Sequence, residues 1–222
     1  MANKWQDIRE GLCGALVIGG SLVTPFLRYW RTRWGATEAE LKKNLPGDDL
    51  VPHPKWQYTN AITINAPLTS VWPWLVQVGQ GRGGWYSYEW LENLAGCDIH
   101  NANQIIPEFQ HLKVGDIVEL APQFGYPVAI VDPCRAIVLH SDSRTGGLPI
   151  PVKMKPGDYN ISTWGFFLEE INEKCTRLIT RLRNDYTPKM VLKLMAGPSL
   201  VEPVSTAMQR KMLKGIKKRA EA

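Results

Sequence analysis

Two alternating runs near the C-terminal end constrain this chain more than any other feature. They are YNISTWGFFLEEI (159–171) and TRLITRLRNDY (176–186), joined through the short polar link INEKC. Successive side chains of a strand point to opposite faces, so Trp164, Phe166 and Leu168 share one face of the first run. In the second run Leu178, Thr180 and Leu182 oppose Arg177, Ile179, Arg181 and Arg183. The link has the length and polarity of a hairpin turn. Shorter strand-like runs precede the pair: VGDIVEL (114–120), YPVAIVDP (126–133) and RAIVLHSD (135–142), punctuated by Gly, Pro and Asp. The middle of the chain is therefore expected to form an antiparallel sheet.

Helices flank these strands. WQYTNAITINAP (56–67) alternates as a half-buried strand, and Pro67 stands where a helix begins. Val71, Trp74, Leu75 and Val78 then fall on one side at helical spacing, with Pro73 tolerated in the early turns. From Pro198 to Ala222 a long amphipathic helix is expected. Val204, Met208, Met212 and Ile216 mark its apolar arc, and Arg210, Lys211, Lys214, Lys217 and Lys218 the opposite one.

Gly79-x-Gly81-x-x-Gly84 has the spacing of a dinucleotide-binding fingerprint. That motif needs a preceding strand and an acidic residue about 20 positions on, at the end of a second strand. Here a helix end precedes the glycines and WYSYEWLENLAG, read as a second helix, follows them. The run is a helix-to-helix connection.

The 222 residues, 44% hydrophobic and 21% charged, are those of a folded globular protein. A net charge of +5, gathered toward the two ends, fits an anionic surface near the termini better than a nucleic-acid groove. Cys13, Cys97, Cys134 and Cys175 are scattered without metal-ligand spacing, so no metal site is expected and a reducing compartment fits.

The uncharged run GLCGALVIGGSLVTPFL (11–27) is followed by Arg28, Trp30, Arg31, Arg33 and Trp34. It lies at the lower length limit for a bilayer span. Either it inserts in a membrane, with the cationic side and the folded domain in the cytoplasm, or it packs on the domain or lies at a membrane surface. The chain divides into residues 1–34, an apolar and basic segment and candidate anchor; 35–55, a connector in which Thr37 caps a short helix; and 56–222, the main domain.

Strand, two short helices, antiparallel strands and one long C-terminal helix is the order of the helix-grip fold. Over roughly residues 56–220 the chain resembles the START-like or polyketide-cyclase-like (SRPBCC) superfamily. The resemblance rests on ITINAP followed by VWPWL, on TWGFFLEEINEKCTRLITRLR and on MQRKMLKGIKKRAE. GQGRGGWYSYEWLENLAGCDIH looks like a bacterial subgroup of it. The resemblance implies an α+β domain whose curved antiparallel sheet wraps the long helix, with an N-terminal apolar helical extension here. An apolar cavity between sheet and helix is implied for a lipid-like or polyketide-like ligand; no cofactor and no nucleic-acid partner are expected.

Trp85, Tyr86, Tyr88, Trp164, Phe166, Met208 and Met212 are the candidate ligand-binding residues, as rings and flexible fillers around an apolar ligand. Each of these types is equally an ordinary core residue. Asp98 and His100, with Glu89 and Glu92 upstream, are weak candidates for general acid–base chemistry. An arginine of the 177–183 stripe could clamp a carboxylate if it faced inward, although a solvated outer face is the usual fate of such a stripe. Three functions follow: a binder or transporter of a hydrophobic small molecule, a cyclase- or aromatase-type enzyme, and a membrane-tethered interaction protein without a small ligand. The first is preferred on the resemblance, the aromatic run at 85–90 and the absence of a catalytic signature.

Overall fold

The structure is a computed structural model that describes residues 2–122, 124–145 and 155–222. Among these residues six strands occur: β1 (Trp56–Ile64), β2 (Ile117–Ala121), β3 (Phe124–Asp132), β4 (Ala136–Asp142), β5 (Asn160–Asn172) and β6 (Cys175–Tyr186). They form one antiparallel sheet in the order β1-β6-β5-β4-β3-β2. The hairpin expected at residues 171–175 is present, with Asn172 opposite Cys175. Register shifts at Glu119/Ala121, Val128/Ile130 and Glu170/Asn172 bend the strands, and the sheet curves.

The helices are α1 (Ala2–Val23), α2 (Arg28–Arg31), α3 (Glu38–Lys42), α4 (Leu68–Val76), α5 (Glu89–Leu94), α6 (Met190–Met195) and α7 (Val201–Ala220). The long helix α7 packs on the sheet, and Met212, Leu213 and Ile216 are buried with Phe166, Leu168 and Leu178. Val71, Trp74 and Leu75 of α4 join the same core. Each such side chain contributes about 1.5–3 kcal/mol by leaving water. The architecture is α+β, the helix-grip arrangement that the resemblance implied.

The glycine run does follow a helix. Gly79 and Gly84 exchange backbone hydrogen bonds of 3.1 and 3.0 Å, closing a tight turn. Helix α5 is shorter than expected, because residues 85–88 form a loop in which Tyr86 has φ +54°. A bulky residue is costly there, and three contacts hold it: Asn101 Oδ1 accepts from its N–H at 2.6 Å, its hydroxyl donates to Trp74 O, and Gln77 Nε2 donates to that hydroxyl. Gly215 of α7 lets this backbone come close, since a Cβ there would meet Tyr86 Cβ at 2.8 Å.

The arginine stripe lies neither in the interior nor in open solvent. Residues 38–51 cover that face of the sheet: Arg177 pairs with Glu40 at 2.7 Å, and Arg181 and Arg183 share Asp48 at 2.6 and 3.1 Å. Leu45 packs beside them on Val138, Phe167 and Ile179, so Arg181 is only 4% exposed. The expected cap is present as a full capping box between Thr37 and Glu40.

Helix α1 packs against α5 and α7, with Gly11 under the Trp90 ring and Gly14 against the Tyr88 ring. No helix among the described residues is long and apolar enough to cross a membrane. The spanning alternative for residues 11–27 is therefore corrected. The helix stops at Val23, short of the run's end, and its first half carries Arg9 and Glu10. Glu202, buried at the start of α7, ties this region down through Arg28 at 2.7 Å and Arg31 at 3.2 Å.

Candidate functional site

A cavity of about 700 Å³ lies between the sheet and α7. Strand alternation supplies its floor: Tyr58 from β1, Tyr126 from β3, Asn160 and Trp164 from β5, and Leu182 and Asn184 from β6. The roof is α7, through Val201, Ser205, Met208, Gln209 and Met212. Trp85, Ser87, Glu92 and Cys97 close one side, and Leu120, Ala121 and Phe124 of the β2–β3 hairpin another. The volume falls within the range that drug-sized ligands occupy.

Polar atoms in this wall are few and mostly engaged. Trp164 Nε1 donates to Gln209 Oε1 at 2.7 Å, and its ring stacks on Trp85 with centroids 5.0 Å apart. Ser162 Oγ donates to the Tyr126 hydroxyl at 2.8 Å. Asn184 Nδ2 donates to Ala196 O at 2.9 Å, a carbonyl that Trp56 Nε1 also reaches. Three buried acceptors have no partner among the described residues: Glu92 Oε2, Asn160 Oδ1 and Asn184 Oδ1. Burial, and after it the neighbouring Glu89, push the Glu92 carboxyl up to about 7. Burial also raises the Cys97 thiol, with Glu92 adding to it.

Of the ligand-binding candidates, Trp85, Trp164, Met208 and Met212 line the cavity, and of the acid–base group Glu92 does. Tyr86 and Phe166 sit in the packed core behind it, each 1% exposed. Tyr88 faces a different cleft of about 400 Å³ between α1 and α7, together with Arg9, Glu10, Arg210, Lys211 and Lys214. Asp98 and His100 do pair, at 3.1 Å, but on an outer loop where both side chains are 78% exposed. They do not border the cavity. Glu89 serves its loop by accepting from Asn101 N at 2.7 Å. Among the described residues no group of three or more His, Cys, Asp or Glu could hold a metal.

Tyr58, Asn160, Asn184 and Gln209 were not anticipated. The strand signal was present for three of them: Tyr58 shares the face of Ile62 and Ile64, Asn160 continues that of Trp164 and Phe166, and Asn184 that of Leu178 and Leu182.

Fold and cavity together define a helix-grip protein with room for a ligand. Solved structures similar to the chain include a protein of Nitrosospira multiformis (15% identity, 73% of this chain and 94% of that one, TM-score 0.41). Another is the Polyketide_cyc-like protein of Corynebacterium glutamicum (16%, 74% and 86%, TM-score 0.32). A third is CalU16 of Micromonospora echinospora (12%, 74% and 84%, TM-score 0.34). No family model and no curated protein matches the chain.

Proposed function

We propose that this protein binds, and carries, a hydrophobic small molecule of lipid-like or polyketide-like character in the cavity between sheet and α7. The observation that carries the reading is the cavity's size together with a wall built largely from Trp, Tyr, Phe, Leu and Met side chains. Trp85, Trp164, Met208 and Met212 are its contacts in this proposal. A cyclase-type reaction is the lesser alternative. Asp98 and His100 pair outside the cavity, and of the acid–base candidates Glu92 alone lines it, with no histidine or second carboxylate beside it among the described lining residues.

Native mass spectrometry of gently purified protein, with and without Val201→Trp to fill the cavity, tests the proposal. A co-purifying apolar ligand that the variant lacks is the expected result. Protein that stays empty after exposure to a total lipid extract, and that binds no neutral fluorescent probe, sinks it.

A membrane-surface role for the N-terminal extension has its own support. Leu12, Leu16, Val23, Phe26 and Trp30 are exposed along α1 and the segment after it. The basic cleft of Arg9, Arg210 and Lys214 lies beside them, with the Arg210 guanidinium stacked on Trp30 and Trp34 at 5.0 and 5.1 Å. In this proposal residues 1–34 rest on an anionic cytoplasmic leaflet, while the unit from residue 56 onward holds the ligand. Co-flotation with anionic but not zwitterionic vesicles is expected, and flotation with neither overturns it.

A further inference from the structure

The charges in the cavity wall are one-sided. Among the described residues that line it there is no Lys, Arg or His. The ionisable groups are Glu92, Cys97 and the phenols of Tyr58 and Tyr126. Among the described residues no hydrogen bond or ion pair reaches the buried Glu92 Oε2. The charged group bearing on it is Glu89, itself acidic. The other unpartnered atoms of the wall, Asn160 Oδ1 and Asn184 Oδ1, are acceptors as well. Gln209 offers an uncharged amide N–H, engaged among the described residues only with Met212 Sδ at 3.9 Å.

A carboxylate brought into such a wall loses its water and meets no cation, beside a group that is itself a carboxylic acid. An unpaired charge out of water is strongly disfavoured. A hydroxyl or ammonium group instead supplies the donor that these oxygens lack, and a charge-assisted bond to a carboxylate is the stronger of the two. We infer that the ligand of this cavity has an apolar body whose polar end is a hydrogen-bond donor without negative charge, a hydroxyl or an amine, received by Glu92. Fatty acids and other carboxylate amphiphiles are excluded. The inference deepens the proposed ligand-binding reading and rests on it.

The test displaces a neutral fluorescent probe, N-phenylnaphthylamine, from the full-length protein with decanol, decylamine and decanoate at neutral pH. The three share one chain and differ only in the polar end. Decylamine and decanol are expected to displace the probe at concentrations at least about tenfold lower than decanoate. Glu92→Gln should weaken decylamine by about tenfold while leaving decanol little changed, and should narrow the gap to decanoate. The wild-type ranking stands without the variant, should that fold poorly. Decanoate displacing the probe as readily as decanol and decylamine overturns the inference and leaves the cavity reading intact. Failure of the probe itself to bind sinks the cavity reading and this inference with it.

Discussion

The Arg28 guanidinium forks onto the Glu202 carboxylate, with Nε and Nη2 at 2.9 and 2.7 Å from Oε2, across 174 positions of chain. Arg31 completes the cluster through Oε1 at 3.2 Å, and Glu202 has no exposed surface. This contact anchors the segment after α1 to the first turn of α7. Removing one partner of a buried pair strands the other charge, so Glu202→Ala is expected to cost about 3–5 kcal/mol in urea unfolding. A loss below about 1 kcal/mol would show that the cluster contributes no more than a surface pair.

The glycines of α1 divide into two kinds. A Cβ at Gly14 would stand 2.8 Å from the Tyr88 ring, whereas Gly19 and Gly20 face open space. Gly19→Ala and Gly20→Ala are each expected to raise thermal stability by as much as about 1 kcal/mol, and Gly14→Leu to loosen α1 from the domain. Limited proteolysis within residues 2–23 reads the difference. Equal protection of the Gly14→Leu and wild-type proteins would contradict the packing described.

Stacked Trp85 and Trp164 both border the cavity, so ligand entry should change intrinsic fluorescence. Trp164→Phe is expected to abolish most of that change and, by removing the bond to Gln209, to cost about 1 kcal/mol. An undiminished fluorescence response in Trp164→Phe places the ligand elsewhere.

Glu92 sets a pH dependence whose sign is fixed by its environment. Burial, then Glu89, raise its carboxyl from 4.5 to about 7, so the folded protein holds this proton more tightly than the unfolded chain. Its contribution to stability is fully present below the unfolded value and is lost as pH rises through the folded one. Between those two values the wild type should lose about 2 kcal/mol relative to Glu92→Gln, after allowance for partial solvent access. Melting temperatures of both proteins across the window give the difference. A difference that stays flat, or that grows in favour of the wild type with rising pH, refutes the assignment.

Much of the fold was legible because it rests on periodicity. Alternation in 159–186 placed the hairpin, and four-residue steps from Val204 to Ile216 placed the helix that packs on it. The site was legible only where it reuses those periods, as at Trp164, Met208 and Met212. Which aromatic rings face the cavity depended on the left-handed turn at Tyr86, which sends Tyr86 into the core while Trp85 faces the void. The sequence of residues 85–88 predicts helix, and that pattern holds no signal for such a reversal. The fate of the arginine stripe was likewise invisible, because its partners Glu40 and Asp48 lie more than a hundred positions away.

The N-terminal extension also changes what the sheet can do to its neighbours. β1 stands at the end of the strand order, and an end strand offers unpaired backbone groups to any passing chain. Here the N–H groups of Thr59 and Ala61 already donate to the carbonyls of Thr32 and Trp34, at 2.9 and 3.0 Å. Gly35 lies directly over Ala61 O, where a side chain would force the two segments apart. The protein thus blunts one margin of its own sheet with main chain drawn from before the first strand. A protein shortened to begin at Trp56 would keep the cavity residues and gain an adhesive border, and its self-association would rise with concentration.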